Sequence, residues 1–278
     1  MIIRYEIGIV ETRNVVKAIL DTYGYDFRDY ALTSFKRRLE QVIMNNGFKD
    51  ADGLINRLTS NKDYFESFLH EITPETTEMF RDPSLWRTVR DEILPDLMKG
   101  GPTKPKLWVA SFDSGEELYS LAIILKEAGF LSEVQLYASV ISDKAIEKIK
   151  SGRIDAKELE VNDANYLRFI GKKNFSDYYY NENGQIVLDT SLVQGVNFVK
   201  LNTLYDNAPG GIKLILFRNQ MIYYNQILQD KVLYQLSNSV VPGGYLSIGV
   251  KETLENTNSS NKFTVFNDLD KIYKKKTT

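Results

Sequence analysis

Four groups of residues, in a fixed order, carry the chemistry available to this chain. They are residues 77–81 (Thr-Glu-Met-Phe-Arg), 107–121 (LWVASFDSGEELYSL), 217–224 (Phe-Arg-Asn-Gln-Met-Ile-Tyr-Tyr) and 242–249 (Pro-Gly-Gly-Tyr-Leu-Ser-Ile-Gly). The second group reads as a buried strand, a loop with one glycine and two glutamates, then a helix. Gly115 lets backbone approach a ligand, and the helix N–H groups behind it are free to meet one. Glu116 and Glu117 favour ribose hydroxyls and a cation over a pyrophosphate. A helix N-terminus also attracts carboxylates in its own right, so the two glutamates suit either role.

Arg218 and Asn219 lie just past an apolar strand at 213–217. A guanidinium and an amide at a sheet edge are costly to bury without partners, so they hold either a ligand or a loop salt bridge. Tyr223 follows at a distance that returns a hydroxyl towards the same edge. Arg81 comes directly after Met79-Phe80. Its planar fork suits a carboxylate, or it joins two domains by a salt bridge. Lys36-Arg37-Arg38 stand opposite Phe35 and Leu39 on one helix. That is a solvated face or the seat of an acidic partner helix.

Much other chemistry is excluded. With no cysteine there is no disulfide, thiolate nucleophile or Cys-ligated zinc. The single histidine, His70, argues against a His-based triad or a multi-His metal site, and its place near a helix end suits a terminal side chain. A net charge of −2 gives nucleic acid no electrostatic hold. No apolar run approaches a membrane span, and residues 1–6 lack a secretory h-region, so a reducing cytoplasm is expected. The 278 residues allow one large domain or two modest ones.

Residues from about 11 to 72 carry helical periodicity only. Val15, Val16, Ile19, Leu20 and Tyr23 share one face. So do Phe35, Leu39, Val42 and Ile43, then Leu54, Ile55 and Leu58, then Phe65, Phe68, Leu69 and Ile72. Thr33 or Ser34 is expected to cap the second helix and Asn61 the fourth. Asp82-Pro83-Ser84 starts a helix over 85–98. Strands at 106–110, 134–140, 196–199, 212–217 and 245–250 are then expected to alternate with helices at 116–128, 144–150 and 227–239. That alternation predicts an α/β fold with a parallel sheet. Residues 177–190 interrupt it as a hairpin with a four-residue loop at 181–184. Residues 263–274 close the chain as an antiparallel pair.

These four groups and their order resemble the CheR-type chemotaxis receptor-glutamate O-methyltransferases. The family's linker, Asn-x-Thr-x-Phe-Phe-Arg, corresponds to Glu75, Thr77, Met79, Phe80 and Arg81. Its loop, Ala-Gly-Cys-x-Thr-Gly-Glu-Glu-Pro-Tyr-Ser, corresponds to residues 110–120. Its Cys-Arg-Asn-x-x-Ile-Tyr-Phe corresponds to residues 217–224. The resemblance implies a small helical domain (1–74), a linker and helix (75–105), and a Rossmann-like sheet (106–278) that binds S-adenosyl-L-methionine (SAM), with a β insert at about 177–190 that can dock on a receptor tail.

It implies site residues too. Thr77, Arg81 and Glu116 would lie at the methionine end, with Ala110 and Gly115 in the loop. Asn202 and Thr203 would lie near the adenine, and Arg218 and Asn219 on the cofactor and acceptor side. Arg81 and Tyr223 would sit beside the methyl group. Three positions depart from the pattern: Ser111 replaces the first loop glycine, Glu75 the linker asparagine, and Val140 the aspartate that binds the ribose. Losing a charged ribose hydrogen bond costs about 1.5–3 kcal/mol, or roughly ten- to hundredfold in affinity. Asp113 and Asp143 are the candidates to replace it.

The implied reaction is SAM-dependent methylation of glutamate carboxylates on chemoreceptor signalling helices or another acidic helical protein, leaving S-adenosyl-L-homocysteine. A glutamate is already ionised at neutral pH, so no general base is needed. The rival reading keeps the fold as a protein-interaction module with a degraded SAM site.

Overall fold

The computed structural model describes residues 5–73, 78–99, 103–112 and 114–277. Its first four helices are α1 (Ile9–Tyr23), α2 (Leu32–Asn45), α3 (Ala51–Ser60) and α4 (Lys62–Ile72). Short helices need each other's apolar faces. Here Val15, Ile19, Leu39, Ile43, Leu54, Leu58, Phe68 and Leu69 are all fully buried. Asn61 caps α4 as expected, accepting from Tyr64 N at 2.8 Å. The cap expected for α2 is different. The helix starts at Leu32 with Ala31 in the cap position, and no side chain caps it. The Ala31 N–H is instead donated to the Tyr223 carbonyl at 2.8 Å, so a bond to the far domain sets where α2 begins.

The linker helix begins as α5 (Pro83–Thr88), widens into a π-helical stretch (Val89–Ile93) and ends as α6 (Leu94–Met98). Leu94 N reaches back to Val89 O, and Pro95 supplies no N–H for the next α-type bond.

The second region alternates as expected: β1 (Lys106–Val109), α7 (Glu116–Ala128), β2 (Gln135–Val140), α8 (Asp143–Ser151), β3 (Arg153–Ile154) and α9 (Leu159–Phe169). Then come β4 (Tyr179–Glu182), β5 (Gln185–Leu188), β6 (Asn197–Lys200), β7 (Ile212–Phe217), α10 (Gln226–Ser239), β8 (Val240–Ile248), β9 (Phe263–Asn267) and β10 (Ile272–Lys275). The main sheet runs β6-β2-β1-β7-β8-β10-β9. Its first five strands are parallel, and β10 runs antiparallel to both its neighbours, β8 and β9. Strand order reverses between β1 and β7. An open α/β sheet binds its ligand in that crevice, beyond the strands' carboxyl ends.

Two details differ from expectation. Glu182 pairs with Gln185, so the hairpin turn is only Asn183-Gly184, both left-handed at φ 54° and 87°. The insert also recruits β3, which pairs with β5 to make a three-stranded sheet, β3-β5-β4. Among the described residues, no helix is long and apolar enough to cross a membrane.

Candidate functional site

Two loops meet at the reversal between β1 and β7. The loop after β1 begins at Ser111 and the loop after β7 at Arg218. The Ser111 hydroxyl sews them together, accepting from Arg218 N at 3.0 Å and lying 3.2 Å from Glu117 Oε2. The Arg218 side chain is wholly buried. A bare guanidinium there would be prohibitive, and the fold answers with two carboxylates. Nη1 donates to Glu117 Oε1 at 3.1 Å and to the Arg81 carbonyl at 3.3 Å, and Nη2 pairs with Asp82. Nε is buried without a partner among the described residues. Burial pushes the Glu117 carboxyl above the usual carboxylate range, and Arg218 opposes that rise.

Asp82 was expected only as a helix-start residue. It stands at the N-cap of α5, yet its side chain makes no cap bond and turns to Arg218.

Arg81 lies between two strained residues. Phe80 and Asp82 both have left-handed backbone, at φ 53° and 55°, which costs about 1–3 kcal/mol each. The Phe80 ring meets Tyr166, Phe169, Trp86 and Phe175 at 5.0–6.4 Å. Four such pairs, at about 0.5–1.5 kcal/mol each, are enough to hold that conformation. Phe80 N donates to Ser120 Oγ at 2.9 Å, and Met79 N to Asn162 Oδ1 at 2.8 Å. The Arg81 carbonyl also accepts from Trp86 Nε1 at 2.9 Å. The backbone is therefore fixed. Among the described residues the Arg81 guanidinium, half-exposed and close enough to help ionise Glu117, takes no hydrogen-bond or ion-pair partner.

The second loop is held by a carboxylate that sequence reasoning missed. Buried Glu252 accepts from Gly249 N at 2.7 Å, Asn219 N at 3.1 Å and Ile222 N at 3.3 Å. Burial raises its proton affinity, and these N–H groups resist the rise. Asn219 turns through φ 56°. A Cβ at Gly249 would stand 2.7 Å from Asn219 Oδ1 and 2.9 Å from Glu252 Oε2, so only glycine fits. The signal available in the sequence was a lone glutamate three residues beyond Gly249.

The other expected residues spread out around this centre. Ala110 N is bonded to Leu216 O at 2.7 Å, placing Ala110 at the crevice. Gly115 opens α7 at φ 111°, with Ile149 only 3.2 Å from where its Cβ would be. Glu116 diverges from Glu117. It is bonded to Ser114 Oγ at 2.8 Å and lines a cavity of about 10 Å³ with Lys148, Gly152 and Leu188, on the side of the insert. Burial pushes its carboxyl up to about 7. Asn202 caps its own turn, accepting from Leu204 N at 3.1 Å, and Thr203 donates its hydroxyl to Asp26 O at 2.7 Å. Val140 ends β2 at 1% exposure, inside the apolar core. Asp143 pairs with Lys200 at 3.0 Å. Thr77, Glu75 and Asp113 lie outside the described residues.

Tyr223 is half-buried, with the Arg38 guanidinium 4.5 Å from its ring centroid. Arg38 thus leaves the solvated face expected for residues 36–38. It packs towards the sheet domain, while Lys36 pairs with Glu40 and Arg37 stays exposed.

These residues fit the methionine end of SAM. The Arg81 guanidinium and Arg218 Nε, both without a partner among the described residues, and the carboxylate of Glu117 offer partners for an α-carboxylate and an ammonium. At the position that the resemblance gives to the ribose-binding aspartate, buried Val140 offers no acceptor.

Comparison with known proteins places both regions. The SAM-binding domain of CheR methyltransferases matches residues 75–268, and the CheR all-alpha domain matches residues 11–73. A Pseudomonas putida protein that carries the name methyltransferase Cher3 is 31% identical over 96% of this chain and 97% of its own length. Chemotaxis protein methyltransferase 1 of Vibrio cholerae is 28% identical over 86% of this chain and 85% of its own. The corresponding Pseudomonas aeruginosa protein is 25% identical over 79% and 81%. With helical domain, linker and sheet all matched in order, the chain belongs to the CheR family of SAM-dependent methyltransferases.

Proposed function

We propose that the chain transfers a methyl group to glutamate side chains of a chemotaxis receptor, or of a similarly acidic helical protein, in the cytoplasm. The observation that carries this reading is Arg81. Its backbone is locked between two left-handed residues while its guanidinium has no hydrogen-bond or ion-pair partner among the described residues, and that is the condition of a side chain kept for an outside anion. SAM supplies a methyl group on a sulfonium, which departs as the neutral thioether of S-adenosylhomocysteine. The acceptor carboxylate is already ionised, so the residues need only bind, orient and exclude water. Arg81 orients a carboxylate by its planar fork. Glu117 and Arg218 form a buried, oppositely charged floor, and Ser111 fixes their spacing. Tyr223 shapes the acceptor side. Transfer converts an anionic side chain into a neutral ester. The helical domain (1–74), the linker (75–105) and the SAM domain (106–278) all contribute to this site.

The second reading, an interaction module that binds SAM weakly, is favoured by the burial of Val140 and the pairing of Asp143 with Lys200. Calorimetric titration with S-adenosylhomocysteine, followed by mass spectrometry of receptor fragments incubated with SAM, separates the two. Binding together with a 14-Da gain on glutamate supports the enzyme. No heat at millimolar ligand supports the module.

A further inference from the structure

Beside the backbone contact of residues 29–31 with 223–225, the helical domain reaches the Tyr223 ring with the Arg38 side chain. Arg38 leaves α2 with its Cζ 4.5 Å above the Tyr223 ring and its Nη1 donating to the carbonyl of Ile72, at the end of α4, at 2.9 Å. The guanidinium is therefore aimed as well as close. A cation over an aromatic face within about 6 Å is attracted by the ring quadrupole, and partial burial strengthens the attraction. Tyr223 is held from its backbone as well. Its carbonyl accepts from Ala31 N at 2.8 Å, and the next residue, Tyr224, forms a β-bridge with Tyr30. Ile222, just before it, is fixed by Glu252. The backbone on both sides is pinned, which leaves the ring's orientation as the remaining freedom. Arg38 covers one face of that ring.

We propose that Arg38 is a positioning residue for methyl transfer: the helical domain clamps the Tyr223 ring through this guanidinium and so sets the shape of the acceptor channel. The proposal rests on the reading that Tyr223 stands beside the transferred methyl group. Arg38 is bonded to Ile72 and stacked on Tyr223, while Ser111, Glu117 and Arg218 are bonded to one another, to Arg81 and to Asp82, so its effect falls on transfer and not on cofactor binding. Lysine preserves the cation over the ring but lacks the planar fork that reaches Ile72, so it restores part of the effect.

The test uses the full chain with Arg38→Gln, Arg38→Lys, Tyr223→Leu and the Gln/Leu double variant. S-adenosylhomocysteine affinity by calorimetry should stay within about twofold of wild type in Arg38→Gln. Transfer from labelled SAM to receptor cytoplasmic fragments should lose about tenfold in kcat with little change in KM, and Arg38→Lys should recover about threefold of that loss. The double variant should be no slower than Tyr223→Leu alone, because the clamp has nothing left to hold. An unchanged kcat in Arg38→Gln, or losses that multiply in the double variant, overturns the proposal. If wild type transfers no methyl group, the functional reading fails separately. The clamp is then judged by thermal unfolding of the same four variants: a double-variant shift smaller than the sum of the single shifts supports it, and additive shifts overturn it.

Discussion

Replacing Glu116 by glutamine should make the chain more stable at pH 8 and leave it nearly unchanged at about pH 4. Glu116 is 7% exposed, and burial lifts its carboxyl from 4.5 to about 7. Between those values the folded chain holds a proton that the unfolded chain has released, so stability falls as pH rises. Above about 7 both states are ionised and the slope ends. A tenfold change in proton affinity corresponds to ~1.4 kcal/mol, so the rise gives about 3 kcal/mol of lost stability across this window. Glutamine keeps the shape and can still accept from the Ser114 hydroxyl, but it does not titrate. The assay is urea unfolding of both chains at half-unit steps from about pH 4 to about pH 8. Glu117 and Glu252, whose carboxyls are also raised, are present in both chains, so the difference between curves reads the change at Glu116. That difference should open from near zero to about 3 kcal/mol. A difference that stays flat would refute the buried, protonated state of Glu116. The same variant should bind S-adenosylhomocysteine within about twofold of wild type if Glu117 is the carboxylate facing the cofactor, and about tenfold more weakly if Glu116 is.

Val140→Asp places a carboxylate at the end of β2. It should lower the unliganded unfolding temperature, because a buried apolar group becomes a charge, while raising S-adenosylhomocysteine affinity nearer tenfold than a thousandfold. Destabilisation without any gain in calorimetric affinity would make Val140 core alone. Gly249→Ala should cost about 1–3 kcal/mol in urea unfolding, since its methyl would meet Asn219 and Glu252 at under 3 Å; a cost below 0.5 kcal/mol would show that the loop yields easily. Reversing Lys36 and Arg37 to glutamate, leaving Arg38 in place, should slow association with an acidic receptor fragment and flatten its salt dependence, as read by stopped-flow. Unchanged kinetics would return those two cations to the solvated face.

The alternation of strands and helices was legible because β1, β2 and β7 are apolar runs set between turn signals, and α7 begins and ends on glycines. Helix α9 was not legible. Its inward face is Asn162, Asn165, Tyr166 and Phe169, and the two asparagines are there to bond the linker backbone at Met79. A hydrophobic-periodicity search passes over a helix that buries amides. The site divides in the same way. Arg218 and Asn219 stood out as polar residues at a strand end. Their partners Asp82, Ser111 and Glu252 come from three distant segments, and nothing in the local sequence of any of them points to Arg218 or Asn219. The adjacent pair Glu116-Glu117 could not be resolved from sequence, because the α-helix turns successive side chains about 100° apart and sends one to each side.

The strand-like contact between residues 29–31 and 223–225 changes what counts as a separable piece of this protein. Asn225 N donates to Asp29 O at 2.9 Å, Ala31 N to Tyr223 O at 2.8 Å, and the Thr203 hydroxyl to Asp26 O. A chain cut at residue 74 would strip the SAM domain of these bonds beside its own Tyr223, and would expose an apolar core that both halves share. Recombination between relatives should respect that seam: a transplanted helical domain works only if its loop between α1 and α2 carries the matching edge. The natural unit of exchange is therefore the helical domain together with the 223–225 segment, whose paired edges, Ala31 and Tyr223, lie 192 residues apart in sequence and must change partners as one.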